Sequence, residues 1–349
     1  MAYSTILKPS DYFNTLLYSG NSSVRSLTGV GFEPSWVWIK ERSSSSDHML
    51  FDQPRGVQKY ISSNLNNVEQ TSAGMLTAFG SDGFSLGNSN DVNDNGQTYA
   101  SFNWKANGQG SANTAGSINT TYTSANTTNG VSICKWVGTQ STGTIAHGLG
   151  TVPKIYFVKN LDSTDSWNVF ANTGYMDANY RLLLDTNGGR ITDADAWNSQ
   201  NPTSSFFTVG SNTGTNKSGS NMIAYVFSEV KGFSKFSEYT GNGNADGTFV
   251  YTGFKPAWVL IKDLMRSESW YIYDGKILGY NGQMGDFLAN TAAAEGTDYA
   301  IQVDLVSNGI KFQSTTGHLN GSNEKFLYMA FAESPFVANS GESIPTTAR

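Results

Sequence analysis

Residues 253–274 read GFKPAWVLIKDLMRSESWYIYD, and the skeleton of this stretch occurs twice more in the chain without an insertion. Glycine stands at Gly31, Gly150 and Gly253, proline three positions later at Pro34, Pro153 and Pro256, and four apolar residues follow from the fifth position. These runs are Trp36-Val37-Trp38-Ile39, Ile155-Tyr156-Phe157-Val158 and Trp258-Val259-Leu260-Ile261, each closed by a lysine: Lys40, Lys159, Lys262. A ring residue then returns at His48, Trp167 and Trp270, and an aromatic three positions on at Phe51, Phe170 and Tyr273. With eight prolines in 349 residues, this agreement marks an internal repeat. Glycine permits the positive φ of a tight turn and proline fixes its own φ, so the pair sets the direction of the chain as it enters the apolar run. Runs of four residues rich in Trp, Val, Ile and Tyr are too short for helices and read as strands buried on both faces. The second aromatic run makes each unit a hairpin with a medium loop.

On either side of this skeleton, Tyr18-Ser19-Gly20, Trp136-Val137-Gly138 and Tyr239-Thr240-Gly241 open the three copies, and Tyr99–Trp104, Met222–Phe227 and Phe326–Phe331 close them. Between these lie Ser81-Asp82-Gly83-Phe84 and Ser307-Asn308-Gly309-Ile310, where Asp-Gly and Asn-Gly supply hairpin turns. Copy two has only Phe206-Phe207-Thr208-Val209 there. Six or seven short strands per copy give the expected fold class: all-β, with three tandem, sequence-related antiparallel β-sandwich domains of the jelly-roll or lectin-like kind. The expected boundaries are an N-terminal arm at 1–15, repeat one at 16–106, a Gly/Ser/Asn/Thr-rich linker at 107–131, repeat two at 132–230, repeat three at 231–334 and a polar tail at 335–349. Phe233 and Phe236 give the second junction little slack, whereas the linker lets copy one move.

Charged residues make up 14% of the chain and the net charge is −6, without a long basic run, which disfavours a nucleic-acid partner bound through its phosphates. The start lacks a signal peptide's charged and apolar regions, and no run approaches the roughly 20 apolar residues that span a bilayer, so no membrane insertion is expected. The lone Cys134, in VSICKWV, reads as a buried free thiol.

No nucleophile elbow, phosphate loop, dinucleotide fingerprint or zinc-type cluster is present, so no catalytic residue, metal or cofactor is assigned. His48, His147 and His318 fall at different places in their copies, and His48 replaces a tryptophan, which favours packing. Asp52 and Asp274 match each other, while copy two has Ala171, a pattern of strand-end hydrogen bonding rather than of a glycosidase acid. The run Asn88–Gly96 is oxygen-rich like a calcium loop but lacks the downstream glutamate, and reads as a polar loop. Tyr175, Trp197 and Tyr280 are aromatics in polar loops and are the candidate stacking residues for sugar rings.

The segments SDYFNTLLYSGNSSVRSLTGVGFEPSWVWIK, IAHGLGTVPKIYFVK and AYVFSEVKGFSKFSEYTGNGNADGTFVYTGFKPAWVLIK together resemble a recurrent module of tailed-phage virion proteins. Such proteins are abundant in marine phages and are commonly labelled tail-fibre or structural proteins; the likeness runs from about Ser10 to Phe336. It implies a non-enzymatic virion component made in the host cytoplasm, a tail fibre or host-adhesion protein contacting surface glycan or neighbouring virion proteins, and a homo-oligomer, with a trimer as the expected form. It transfers no ligand and no catalytic residue. A capsid decoration or head-fibre protein, or a polysaccharide-degrading enzyme, are the alternatives.

Overall fold

The computed structural model describes residues 4–277, 285–296 and 303–335. The chain is all-β, built of several antiparallel sheets, with only short helical turns between strands among the described residues. In each copy the opening strand pairs with the closing strand, the closing strand with the strand after the proline, and that strand with its hairpin mate. In copy one these are Phe13–Ser19, Thr98–Trp104, Trp36–Glu41 and Met49–Asp52. In copy two they are Val131–Val137, Asn221–Phe227, Ile155–Asn160 and Asn168–Ala171, and in copy three Ser234–Thr240, Lys325–Pro335, Phe254–Asp263 and Trp270–Asp274. The strands after the prolines are buried along their apolar runs, as their composition requires. The preceding Gly31, Gly150 and Gly253 take φ of 91°, 71° and 83°, the left-handed region that disfavours any side chain.

A smaller sheet accompanies each main sheet: Arg25–Thr28, Gly83–Leu86 and Leu76–Gly80 in copy one; Gly143–Ala146 with Phe206–Val209 in copy two; Phe249–Tyr251, Gly309–Phe312 and Val303–Val306 in copy three. Side chains of both sheets share one apolar cluster per copy, giving a sandwich-like pair of layers. The segment 107–131 departs from the expected linker. Ser111–Asn113 and Thr120–Asn126 form strands that extend the main sheet of copy two, with Thr123 opposite Cys134. Thr and Ser supply β-propensity and Oγ bonds, such as the 2.8 Å contact of Thr120 Oγ1 with Thr123 Oγ1, without the apolar signal that marks a strand in sequence.

The other faces of the three main sheets meet in a fourth cluster that contains Trp36, Trp104, Tyr225, Phe227, Trp258 and Phe331. Their rings stack or meet edge to face: Trp36 lies 4.3 Å from Trp104 and 4.4 Å from Tyr225, and Trp104 stands at 90° to Trp258 at 5.5 Å. Arrangements of this kind add ~0.5–1.5 kcal/mol per pair to the burial of ring area. Ile6 of the N-terminal arm is buried in the same cluster, and Phe233 and Phe236 of the second junction pack on Phe331 at 5.7 and 5.6 Å.

Around this cluster the copies are joined in cyclic order. Trp167 Nε1 of copy two donates to Ser62 O of copy one at 2.8 Å, and Trp270 Nε1 of copy three donates to Leu183 O of copy two at 2.9 Å. His48 of copy one stands 3.1 Å from Leu288 O of copy three through Nε2. Because Trp38 Nε1 donates to His48 Nδ1 at 2.8 Å, the imidazole proton sits on Nε2 and points at that carbonyl. The repeat lysines run the same way. Lys159 Nζ donates to Asn66 O, Lys262 Nζ to Asn187 O, and Lys40 Nζ to Ala292 O, each also holding the carbonyl of its own next residue at 2.8 Å. Burial pushes these three ammonium groups down to about 8, still protonated at neutral pH, where each spends its protons on carbonyls.

Candidate functional site

One corner of each copy lies where the hairpin strand, the next short strand and the helical turn before the closing strand come together. Pairing fixes the equivalences. Leu50 bridges to Ile61, Val169 pairs with Leu182, and Ile272 pairs with Phe287, so Tyr60, Arg181 and Asp286 hold the same place. The helical turns are pinned by Asn93, Asn216 and Asn320, all fully buried. Their amides donate to Ser23 O and Gly87 O, to Ser141 O and Gly210 O, and to Asn244 O and Ser314 O; their Oδ1 atoms accept from the backbone nitrogens of Asn21, Thr139 and Asn242. Each asparagine thus replaces a backbone pairing partner. In copy one this is what the oxygen-rich Asn88–Gly96 run does: Asn90–Asn93 forms the turn.

In copy one the corner is open. A cavity of about 300 Å³ is lined by Asp47, Met49, Tyr60, Leu65, Gln70 and Asp91 among others. Asp47 accepts from Asn64 Nδ2 at 2.6 Å and Asp91 from Ser89 Oγ at 3.1 Å. Burial, then Asp91 and Asp47, hold the Tyr60 phenol above its usual range, so the hydroxyl keeps its proton and can donate. A lining that combines a phenol ring, apolar side chains, carboxylates and side-chain amides, more polar than apolar, suits a polyhydroxylated or amine-bearing small molecule.

In copy two the corner is filled. Arg181 Nη1 donates to Asn168 Oδ1 at 2.6 Å and Nε pairs with Asp193 Oδ2 at 2.7 Å. Gly214 takes the place of Asp91, and a Cβ there would lie 2.5 Å from Asn168 Nδ2. In copy three His318 takes that place, bonded through Nδ1 to Glu268 and 5.9 Å from the Tyr271 ring.

A family model for a domain of unknown function, DUF7483, matches residues 8–335. The chain belongs to that family. The match runs through all three copies, so one DUF7483 domain contains the whole ring of repeats. No curated protein and no solved structure matches the chain.

The stacking residues expected from sequence do not gather at the corner of copy one. Trp197 is fully buried: its indole donates to Tyr180 O at 3.0 Å and its ring meets Tyr156 and Phe170 edge on. The reason is local. Asp193 caps the turn Ala194–Trp197 through Asp195 N and Ala196 N, which rolls the ring into the core of copy two and away from solvent. Tyr175 is half-buried, with the Arg190 guanidinium 3.6 Å from its ring centre and 4.1 Å from that of Tyr180, so a ring face is already taken. Tyr280 lies outside the described residues. What sequence reasoning missed at the corner is Asp47, Tyr60 and Asp91; the signal was the exchange of charge type at Tyr60, Arg181 and Asp286, visible only once the register is known.

The other candidates are structural. Cys134 is buried and free, its thiol pushed up to about 12 by burial. Asp52 and Asp274 both reach across copy boundaries. Asp52 holds Arg55 in a buried pair and accepts from Tyr225 OH of copy two at 2.7 Å, and Asp274 accepts from Thr15 Oγ1 of copy one at 2.5 Å. Among the described residues no three His, Cys, Asp or Glu side chains are grouped to hold a metal, and no helix is long and apolar enough to cross a membrane.

Proposed function

We propose that this chain is a non-enzymatic structural protein of a phage particle, a tail-fibre or adhesion component whose three copies are lectin-like sandwich units fused into one body. The observation that supports it is the contrast between a scaffold locked by a cyclic set of inter-copy bonds and a corner of copy one that is open and lined by sugar-compatible groups. Binding residues sit well on a rigid frame, and here Asp47 lies in the hairpin loop, Tyr60 in the short strand Lys59–Tyr60 and Asp91 in the helical turn Asn90–Asn93. The partners on this reading are other virion proteins and a host surface glycan. Light scattering tests assembly: the ring supplies within one chain the three-fold arrangement that a homotrimer would build from three, and a mass of 37.7 kDa as against three times that decides which applies.

A second reading rests on Asp47 and Asp91 lining the same cavity, since paired carboxylates across a sugar can act as acid and base. The deciding experiment incubates the purified chain with host cells and with their extracted surface polysaccharide. Retention on both without new reducing ends is expected. Release of reducing ends would select the enzyme, and failure to bind either would leave an architectural role in the particle, in which case a capsid decoration is the better description.

A further inference from the structure

The three corners can be compared as one site with three fillings. In copy two the space is taken by a guanidinium, Arg181, between Asn168 Oδ1 and Asp193. In copy three the matching position carries an imidazole, His318, partly exposed and seated on Glu268 beside Tyr271. Both are cationic or cation-forming groups supplied by the chain and met by a carboxylate. Copy one reverses this. Tyr60 stands for Arg181, Asp91 for His318 and Gly214, and Asp47 for Ser166 and Ser269, so the corner has carboxylates and a ring but no cation of its own.

The nearby cations make their hydrogen bonds and ion pairs elsewhere, although the charge of Asp47 is felt by the buried Lys40 ammonium. Lys40 is buried and donates to Glu41 O and Ala292 O; Lys59 pairs with Glu69; Arg55 pairs with Asp52 and with Glu69. Among the described residues neither Asp47 nor Asp91 has an ion pair. Each carboxylate has several acceptor positions, and the hydrogen bonds from Asn64 and Ser89 use only a part of them. Tyr60, Met49 and Leu65 line the same cavity as these acceptors, and a ring and apolar groups close to carboxylates favour a cation attached to a compact ring.

We infer that the cavity of copy one binds a sugar bearing a free ammonium group, with Asp47 and Asp91 as acceptors for the amine and Tyr60 as the platform for the ring. The inference rests on the adhesin reading and narrows its ligand. A volume of about 300 Å³ is at the small end of ligand pockets and suits one monosaccharide unit. The net charge of −6 draws the same ligand toward the protein.

The test is calorimetric or ligand-observed NMR titration of the full chain at pH 7 with glucosamine, N-acetylglucosamine, glucose and arginine amide. Glucosamine should bind at least about tenfold more tightly than its acetylated and hydroxyl counterparts, the size expected for one desolvated charge pair. Asp47→Asn and Asp91→Asn should each remove that preference while keeping the melting temperature of the parent, because the amide retains the shape and the bond to Asn64 or Ser89. Equal binding of the three sugars overturns the inference and leaves the glycan reading standing. Tighter binding of arginine amide also overturns it, in favour of a peptide partner. No binding of any sugar by a chain that still adheres to host cells overturns it as well, moving the adhesive surface elsewhere; loss of cell binding too removes the adhesin reading itself.

Discussion

The ring of inter-copy bonds and the corner at Tyr60 use the same three-fold arrangement to opposite ends. In the ring, Lys40, Lys159 and Lys262 do one job three times, and Trp167 and Trp270 are matched by a histidine that makes the same kind of bond to the same kind of carbonyl. At the corner, Tyr60, Arg181 and Asp286 share a register position and nothing else. Positions whose side chains must satisfy buried carbonyls in another copy have few solutions, because an unmade bond there costs ~1–3 kcal/mol. Positions at the rim are free to differ, and the one in copy one stays open.

This contrast makes the largest expected effect fall in the central cluster. Trp258→Ala removes a side chain that meets Phe13, Phe102, Trp104 and Phe331, and should cost ~3–5 kcal/mol by chemical denaturation. A midpoint unchanged from the parent would show that the cluster is not the common core of the three copies.

The ring should also be sensitive to pH in two opposing ways. His48 is pushed down to about 3, by burial and then by Lys40, against ~6.5 for a solvated imidazole. The unfolded chain therefore takes up a proton that the native chain refuses, and this contribution to stability, complete above pH ~6.5, is lost as pH falls toward 3. Asp274 is pushed up to about 6 by burial, against ~3.9 when solvated. Its contribution is present below ~3.9 and lost as pH rises through 6. Between pH 4 and 6 the two slopes oppose. Asp274→Asn should leave stability falling more steeply with acid than in the parent, and His48→Gln less steeply, each by up to ~1.4 kcal/mol per pH unit. Parallel curves for parent and variants would show that neither group is buried at a copy boundary.

At the corner the expected effect is smallest. Arg181→Ala breaks a pair whose partners are only modestly exposed and should cost about 1–2 kcal/mol, with the central cluster intact by near-ultraviolet circular dichroism. A loss as large as that of Trp258→Ala would erase the distinction between ring and rim.

Much of the ring's raw material is legible in the sequence. The turn glycines, the strands after the prolines, the closing strands and the buried Cys134 follow from period, composition and φ requirements. Even so, the matching of His48 to two tryptophans reads in sequence as packing, whereas its meaning is a hydrogen bond from one copy to another. The acceptors Ser62, Leu183 and Leu288 carry no side-chain signal, because the accepting atom is a backbone carbonyl and the loops leading to them differ in length. Residues 107–131 read as a linker because Ser, Thr, Asn and Gly lack apolar alternation, although Thr120–Asn126 pairs along Val131–Trp136. The corner is hidden for a related reason: aromatics in polar loops attract notice, and Trp197 is the wrong one, while Tyr60 lies in the short strand Lys59–Tyr60 and reads as ordinary.

A row of stacked repeats has two ends, and its terminal units fray unless they are capped. Here the third copy hands Leu288 O and Ala292 O back to His48 and Lys40 of the first, so the row has no terminal unit. Heat or denaturant then has no edge from which to peel the array. The three copies should therefore melt as one calorimetric unit, a single opened junction exposing the faces of all its neighbours together; two resolved transitions in a calorimetric scan would show that they do not.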